Sequence, residues 1–353
     1  MLAVSTGSRR VHLDFVSPTR LTKLRQCHYR VSLDLAGPGD GQSENAAAAL
    51  GRAVHLALQD LVDTGRIKET GPLDDACRDA WARAIAMVYA EPPIPRHIPG
   101  YYLKQARLPN IASRLRDLLH PYGTLESEVP LASTDGLLRG TADLIATNSR
   151  GVLLLDYKSG VDRDPGTGQP RVDEYARQLQ FYAFLVSEMR GSRPELAAIL
   201  PMDGPPIPVD VSESACMATA SDAMAHLREF NSVGEIHPAS PSPAACRYCP
   251  HLARCIPFRD ACNDTWAAEM LAVVGTVMAS EEAADGAVSV AVQPTAGSVG
   301  NQRISLARLS TLAFPALALA KPGVELAASG LFRIGAAGDV YGVRDTGALH
   351  VLL

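Results

Sequence analysis

The sequence predicts a mixed α/β unit over residues 1–262 followed by a small all-β barrel over 268–353. Three observations carry that expectation. Helical and strand patterns alternate through the first two thirds of the chain. Residues 125 to 158 hold three successive apolar runs with turns between them, the texture of a sheet. The tail breaks into five or six short β-like runs (AVVGTVMAS, AVSVAVQ, ISLARL, VELAASGLFRIG, DVYGVRD, ALHVLL) punctuated by Gly, Asp and Ser. At 353 residues and 47% hydrophobic, the chain can bury a substantial core.

Taken in order, TRLTKLRQCHYR (19–30) reads as a charged helix face carrying Arg20, Lys23, Arg25 and Arg30 beside Cys27. GPGDGQSEN (37–45) is a loop before the helical stretch AAAALGRAVHLALQDLVDTG, which Gly65 closes. LDDACRDAWARAIAMVYA forms a second helix and stops at the breaker EPPIPRHIPG. YYLKQARLP (101–109) combines Tyr101, Tyr102, Lys104 and Arg107, and reads either as a connection or as a surface for a single strand. IASRLRDLLHPYG is a further helix. LESEVPLA, LLRGTADLIAT and GVLLLDYKSG supply strands, and VDRDPGTGQP is a loop. RVDEYARQLQFYAFLVSEMRG is an amphipathic helix, with ELAAIL and PIPVDV as later strands.

Charge narrows the function classes. A formal net charge of −5 excludes a global basic field, so any polyanion site is local. The tail has five basic against eight acidic residues, which makes its barrel as fit for docking a protein as for binding DNA. No apolar run approaches the roughly 18 residues of a membrane span, and the N-terminus lacks a signal-peptide core, so a cytoplasmic protein without membrane contact is expected. There is no G-x-x-x-x-G-K-[ST] loop, so ATP-driven unwinding would need another subunit.

The strand ending GVLLLDYKSG places Asp156 and Lys158 on one face, with Tyr157 on the other. If Ser149-Arg150 is a two-residue turn, Asp143 of the preceding strand faces Asp156. Two opposed carboxylates on an apolar hairpin repel unless a cation sits between them. Such an oxygen-rich site suits Mg²⁺ or Mn²⁺. Asp143 and Asp156 would hold the ion and Lys158 would steady the attacking water or the developing negative charge, with the Tyr157 carbonyl as an additional ligand. Glu128 in LESEVPL is a minor acidic candidate.

These residues carry a resemblance. LLRGTADLIA followed by LLLDYKSG resembles the active-site hairpin of the PD-(D/E)XK nuclease superfamily, and more narrowly its RecB-type branch. GRAVH (51–55) is similar to that branch's N-terminal helix motif, which implies His55 as a metal ligand. EYARQLQFY is similar to its glutamine-tyrosine helix, which implies catalytic roles for Gln178 and Tyr182; four residues apart, they share a helical face. The resemblance spans roughly residues 15 to 260. It implies a restriction-endonuclease-like core, a mixed central sheet flanked by helices; the tail, outside the resemblance, reads as OB-like.

Seven cysteines include a bunch, Cys246, Cys249 and Cys255, that favours metal over disulfide. A fourth thiolate is needed to close such a site. The resemblance to the family's iron-sulfur members, among them CRISPR-associated adaptation exonucleases and AddB-type subunits, implies Cys27, with Cys262 as the alternative. One ligand near the start and three near the end suits a 4Fe-4S clasp, with zinc as the structural alternative. Cys77 and Cys216 fall in helical apolar patterns and read as buried small hydrophobes. The function expected is a Mg²⁺- or Mn²⁺-dependent deoxyribonuclease, an exonuclease on single-stranded DNA or ends, in repair, CRISPR adaptation or phage defence. Its expected protein partner is a helicase or a defence complex docked on the barrel. The alternative is a non-catalytic DNA-binding or scaffold protein that keeps the fold and cluster.

Overall fold

Ser17 opens the first helix: its side chain accepts from the Arg20 N–H at 3.3 Å and Pro18 occupies the first turn, where a missing donor is harmless. That helix, α1 (Pro18–Gln26), breaks at Cys27, whose backbone is extended, and α2 (His28–Ala36) follows. The single charged helix expected here is therefore two, with a cysteine at the corner. The structure, a computed structural model, describes residues 11–37, 46–89, 95, 98–160, 172–247, 249–335 and 339–352. The loops expected at 38–45 and 161–170 and most of the breaker after residue 90 lie outside the described residues.

Three helices follow: α3 (Ala46–Asp63), α4 (Asp74–Val88) and α5 (Tyr101–Leu119). The sequence suggested a connection up to Pro109, but α5 runs through that proline. Leu108, Ile111, Ala112 and Leu115 are fully buried on α5, and packing on that scale outweighs one lost backbone donor.

The central sheet has the order β1-β2-β3-β4-β5, built from β1 (Thr124–Ala132), β2 (Arg139–Asn148), β3 (Gly151–Lys158), β4 (Leu196–Pro201) and β5 (Ile207–Pro208). β3 pairs antiparallel to β2 and parallel to β4, so the sheet is mixed. The crossover from β3 to β4 is α6 (Asp173–Arg190), and α7 (Glu213–Val233) follows β5.

Alternation sorts the sheet's two faces. Leu153, Leu155 and Tyr157 pack with α3, α4 and α5, whereas Val152 and Leu154 pack with α1, α6 and α7. Both faces are covered, which is why β3 reads as a nearly continuous apolar run. Two short helices, α8 (Pro243–Cys246) and α9 (Ile256–Ala261), carry the chain to the tail.

The tail is a closed five-stranded barrel: β6 (Ala272–Glu282), β7 (Ala287–Gly297), β8 (Ile304–Ser310), β9 (Glu325–Arg333) and β10 (Val340–Leu352). The last two expected strands are one, β10, with a register shift between Val343 and Ala348. β8 and β10 pair in parallel while the other pairs are antiparallel, a Greek-key arrangement of the OB-like kind. Barrel residues such as Val277 and Leu326 share one continuous apolar cluster with Leu50 and Trp81 of the helical layer.

Candidate active site

β2 and β3 join through Ser149 and Arg150, and their register runs from Asn148 opposite Gly151 to Leu144 opposite Leu155. One step further, Asp143 leaves the regular ladder: its carboxylate accepts a 2.6 Å hydrogen bond from the Tyr157 N–H. Regular alternation also fails here, because Ala142 packs with the α1/α6 side while Leu144 packs with the α3 side. This irregularity leaves Asp143 reaching residues on both layers.

His55 arrives from α3, with Nδ1 3.4 Å from Asp143 Oδ2. The GRAVH spacing matters sterically. A Cβ on Gly51, one turn before His55, would lie 3.0 Å from Ser159 Oγ, so the glycine lets α3 close on the end of β3. Glu128 arrives from β1 with an αL-like φ of 48°. His55, Glu128 and Asp143 each bring a ligand atom within 4.8 Å of the other two. Glu128 thus belongs to the site more closely than the sequence suggested. Its signal was its register opposite Asp143, legible only once β1 and β2 are paired.

Asp156 is wholly buried, and neither carboxylate oxygen has a hydrogen-bond partner. Lys158 Nζ lies 2.6 Å from Oδ2 as an ion pair without hydrogen-bond geometry. Leaning toward Lys158, Asp156 stands outside the tight group of three but couples to Asp143 and His55 through charge. Lys158 also donates to Gln178 Oε1 at 3.0 Å, and Gln178 Nε2 donates to the Tyr182 hydroxyl at 3.2 Å. Gln178 and Tyr182 do share a face of α6 and meet the hairpin's end. Gly140 went unnoticed in the sequence: a Cβ there would sit 2.6 Å from Tyr182 Cε1, so the glycine makes room for that ring. The Tyr157 side chain points to the opposite face, its ring 5.8 Å from that of His55.

The electrostatics are those of carboxylates short of a cation. Burial, with Lys158 opposing and Asp143 adding, pushes Asp156 up to about 6. Burial and then the Asp143 charge raise Glu128. Burial works to lower His55, but the hydrogen bond and charge of Asp143 outweigh it and raise the imidazole. A divalent ion among these groups would relieve the repulsion and engage the Asp156 carboxylate, whose Oδ1 has no partner, so the donor set fits one.

The basic residues flagged in the sequence have internal partners. Lys23 pairs with Asp34 at 2.7 Å, Arg25 with Asp222 at 3.0 Å, and Arg20 lies 4.6 Å over the Phe15 ring. Lys104 donates to the Ser159 carbonyl at 2.8 Å, just beyond Lys158, and Arg107 pairs with Asp203.

Cys27, Cys246, Cys249 and Cys255 line one small cavity with Tyr29, Arg30 and His251. Burial raises the thiols of Cys246, Cys249 and Cys255. No three of these sulfurs lie mutually within 4.8 Å among the described residues. Cys262 does not line that cavity, although it is buried in the same apolar cluster as Cys246, Cys249 and Cys255. Cys77 and Cys216 are buried in α4 and α7.

Residues 16–256 match the family model of the PD-(D/E)XK nuclease superfamily, a span that contains every residue of the hairpin site and the four cavity cysteines. Among solved structures, the crystal structure of SSO0001 is 15% identical, with a TM-score of 0.27, covering 67% of this chain and 95% of that one. No curated protein matches the chain.

Proposed function

This chain belongs to the PD-(D/E)XK nuclease superfamily, whose fold implies a metal-dependent nuclease, and from that premise we propose a Mg²⁺- or Mn²⁺-dependent deoxyribonuclease of the RecB-type branch. The observation that carries the catalytic reading is Asp156, wholly buried with Oδ1 unpartnered and Oδ2 2.6 Å from the Lys158 ammonium, beside Asp143. His55, Asp143 and Asp156 would hold the ion, with Glu128 and the Tyr157 carbonyl as further donors. When bound, such an ion lowers the pKa of a water and neutralises charge on the scissile phosphate.

The remaining work falls to the protein's own groups. Hydrolysis forms a bond from water oxygen to phosphorus and breaks the bond to the leaving sugar oxygen. Lys158, paired with Asp156, offers its ammonium to the attacking water or to the developing negative charge. Gln178 holds that ammonium in place, and Tyr182 holds Gln178. The substrate in this reading is single-stranded DNA or a DNA end, in repair, CRISPR adaptation or phage defence. The barrel is proposed to dock a partner such as a helicase or a defence complex.

The four cysteines are proposed to hold a 4Fe-4S cluster that staples the α1/α2 corner to the segment before the barrel. The cavity that the four cysteines share supports a common ligand for them. The test is anaerobic purification of the full chain with a visible spectrum, followed by digestion of labelled oligonucleotides with Mn²⁺. Brown protein that cleaves, with Asp156→Ala and Lys158→Ala inactive but still binding DNA, is the expected result. Equal cleavage by wild type and both variants removes the catalytic assignment. Colourless protein with bound zinc removes the cluster.

A further inference from the structure

His28, His226 and Glu229 each bring a ligand atom within 4.8 Å of the other two, away from the phosphodiester site. His226 and Glu229 lie one turn apart on α7 and share a face; His28 opens α2, immediately after Cys27. His226 Nδ1 is buried with no hydrogen-bond partner, and Glu229 Oε2 stands 3.8 Å from it. That gap is too long for a hydrogen bond. It is close to the roughly 3.4 Å that separates two ligands bound about 2.1 Å from one tetrahedral ion.

The other side of the ring is also arranged. His226 Nε2 lies 3.7 Å from Asp222 Oδ1, and Asp222 is anchored by Arg25 at 3.0 Å. At 3.7 Å Asp222 makes no hydrogen bond to the ring, but it puts a carboxylate on the side where an outer-shell contact would orient a metal-bound histidine. His237 is otherwise accounted for: its Nε2 bonds the Phe230 carbonyl at 2.8 Å and its ring stacks on Phe230.

We propose that His28, His226 and Glu229 form a site for a zinc-class divalent ion that clamps the start of α2 onto α7. Two imidazoles and one carboxylate suit Zn²⁺, whereas Mg²⁺ prefers oxygen ligands alone. Glu229 is 64% exposed, which leaves the fourth position to water. The clamp holds the corner that carries Cys27, so it braces the cysteine cavity without supplying a ligand to it. The site stands independently of the nuclease reading.

The test measures Zn²⁺ stoichiometry and affinity on the full-length chain for wild type, His226→Ala and Glu229→Gln, with Co²⁺ as a spectroscopic probe. Wild type is expected to bind one Zn²⁺ more than His226→Ala, and Glu229→Gln to bind that ion about tenfold or more weakly. The Co²⁺ lost from the variants should carry only weak visible bands, without the intense near-ultraviolet thiolate absorption. In chelator, wild type and Glu229→Gln should melt together, and Zn²⁺ should raise the melting temperature of wild type more. Equal Zn²⁺ binding by all three proteins overturns the site. So does loss of an ion whose Co²⁺ form shows thiolate absorption, because that ion belongs to the cysteines.

Discussion

The Asp143 carboxylate accepts the Tyr157 N–H at 2.6 Å, and so binds the two hairpin strands at the point where their ladder ends. Asp143 therefore has a structural role and, in the proposed nuclease, a chemical one, which substitution can separate. Asp143→Asn keeps an acceptor for Tyr157 but loses the charge. It is expected to melt within about 1 kcal/mol of wild type while Mn²⁺-dependent cleavage falls by about 10²-fold or more. Asp143→Ala should lose both, as thermal melts and oligonucleotide cleavage would show.

The chain Lys158, Gln178, Tyr182 predicts a graded series. Lys158→Ala is expected to lower kcat by about 10²-fold or more, since in the proposed mechanism the ammonium itself faces the reaction. Gln178→Ala, which only frees the ammonium from its 3.0 Å restraint, should lower kcat by roughly tenfold. Tyr182→Phe removes one further bond and should have a smaller effect still. Single-turnover rates rank the three; an equal loss in all would show that they act as one unit.

Glu128 sits at φ 48°, a conformation that costs a non-glycine residue about 1–2 kcal/mol. Glu128→Gly is expected to leave stability unchanged or raise it by up to about 1 kcal/mol, while weakening Mn²⁺ binding at the hairpin. Chemical denaturation and a Mn²⁺ titration read the two effects apart. A loss of stability with unchanged Mn²⁺ affinity would place Glu128 outside the site.

Asp34 predicts a pH dependence. Burial works to raise its pKa, but hydrogen bonds from His251 and Lys23 outweigh it and hold the carboxyl at about 2, below its ordinary 3.8. A carboxyl depressed on folding adds stability above pH 3.8, and that contribution is lost as pH falls through 2. Partial solvent exposure screens the pair, so the contribution is on the order of 1 kcal/mol. Asp34→Asn should destabilise by that amount near pH 6, and the difference should shrink below pH 3.8 in urea melts of both proteins.

Leu326 is wholly buried in the barrel within the apolar cluster that also contains Leu50 of α3. Leu326→Ala is expected to destabilise by about 2–4 kcal/mol through the lost methyl groups and the cavity left behind. Because the cluster is continuous, calorimetry should show one shifted transition. A barrel peak that moves alone would show that the two units unfold independently.

The sequence by itself determined what depends on near neighbours. Strand alternation set Asp156 and Lys158 on one face, the two-residue turn at Ser149-Arg150 set the strand register from Asn148 opposite Gly151 to Leu144 opposite Leu155, and helical spacing aligned Gln178 with Tyr182. Five of the tail's expected strands close into a barrel for the same reason. Only the tertiary structure decided the break at Cys27, the helix running through Pro109, the irregular alternation at Asp143, and the meeting of Glu128 with His55. It also decided which cysteine shares the cavity: Cys27 lies with Cys246, Cys249 and Cys255, while Cys262 does not line it. Local backbone preferences reach only a few residues, whereas these arrangements depend on how buried surfaces from distant segments pack, and no local pattern records that.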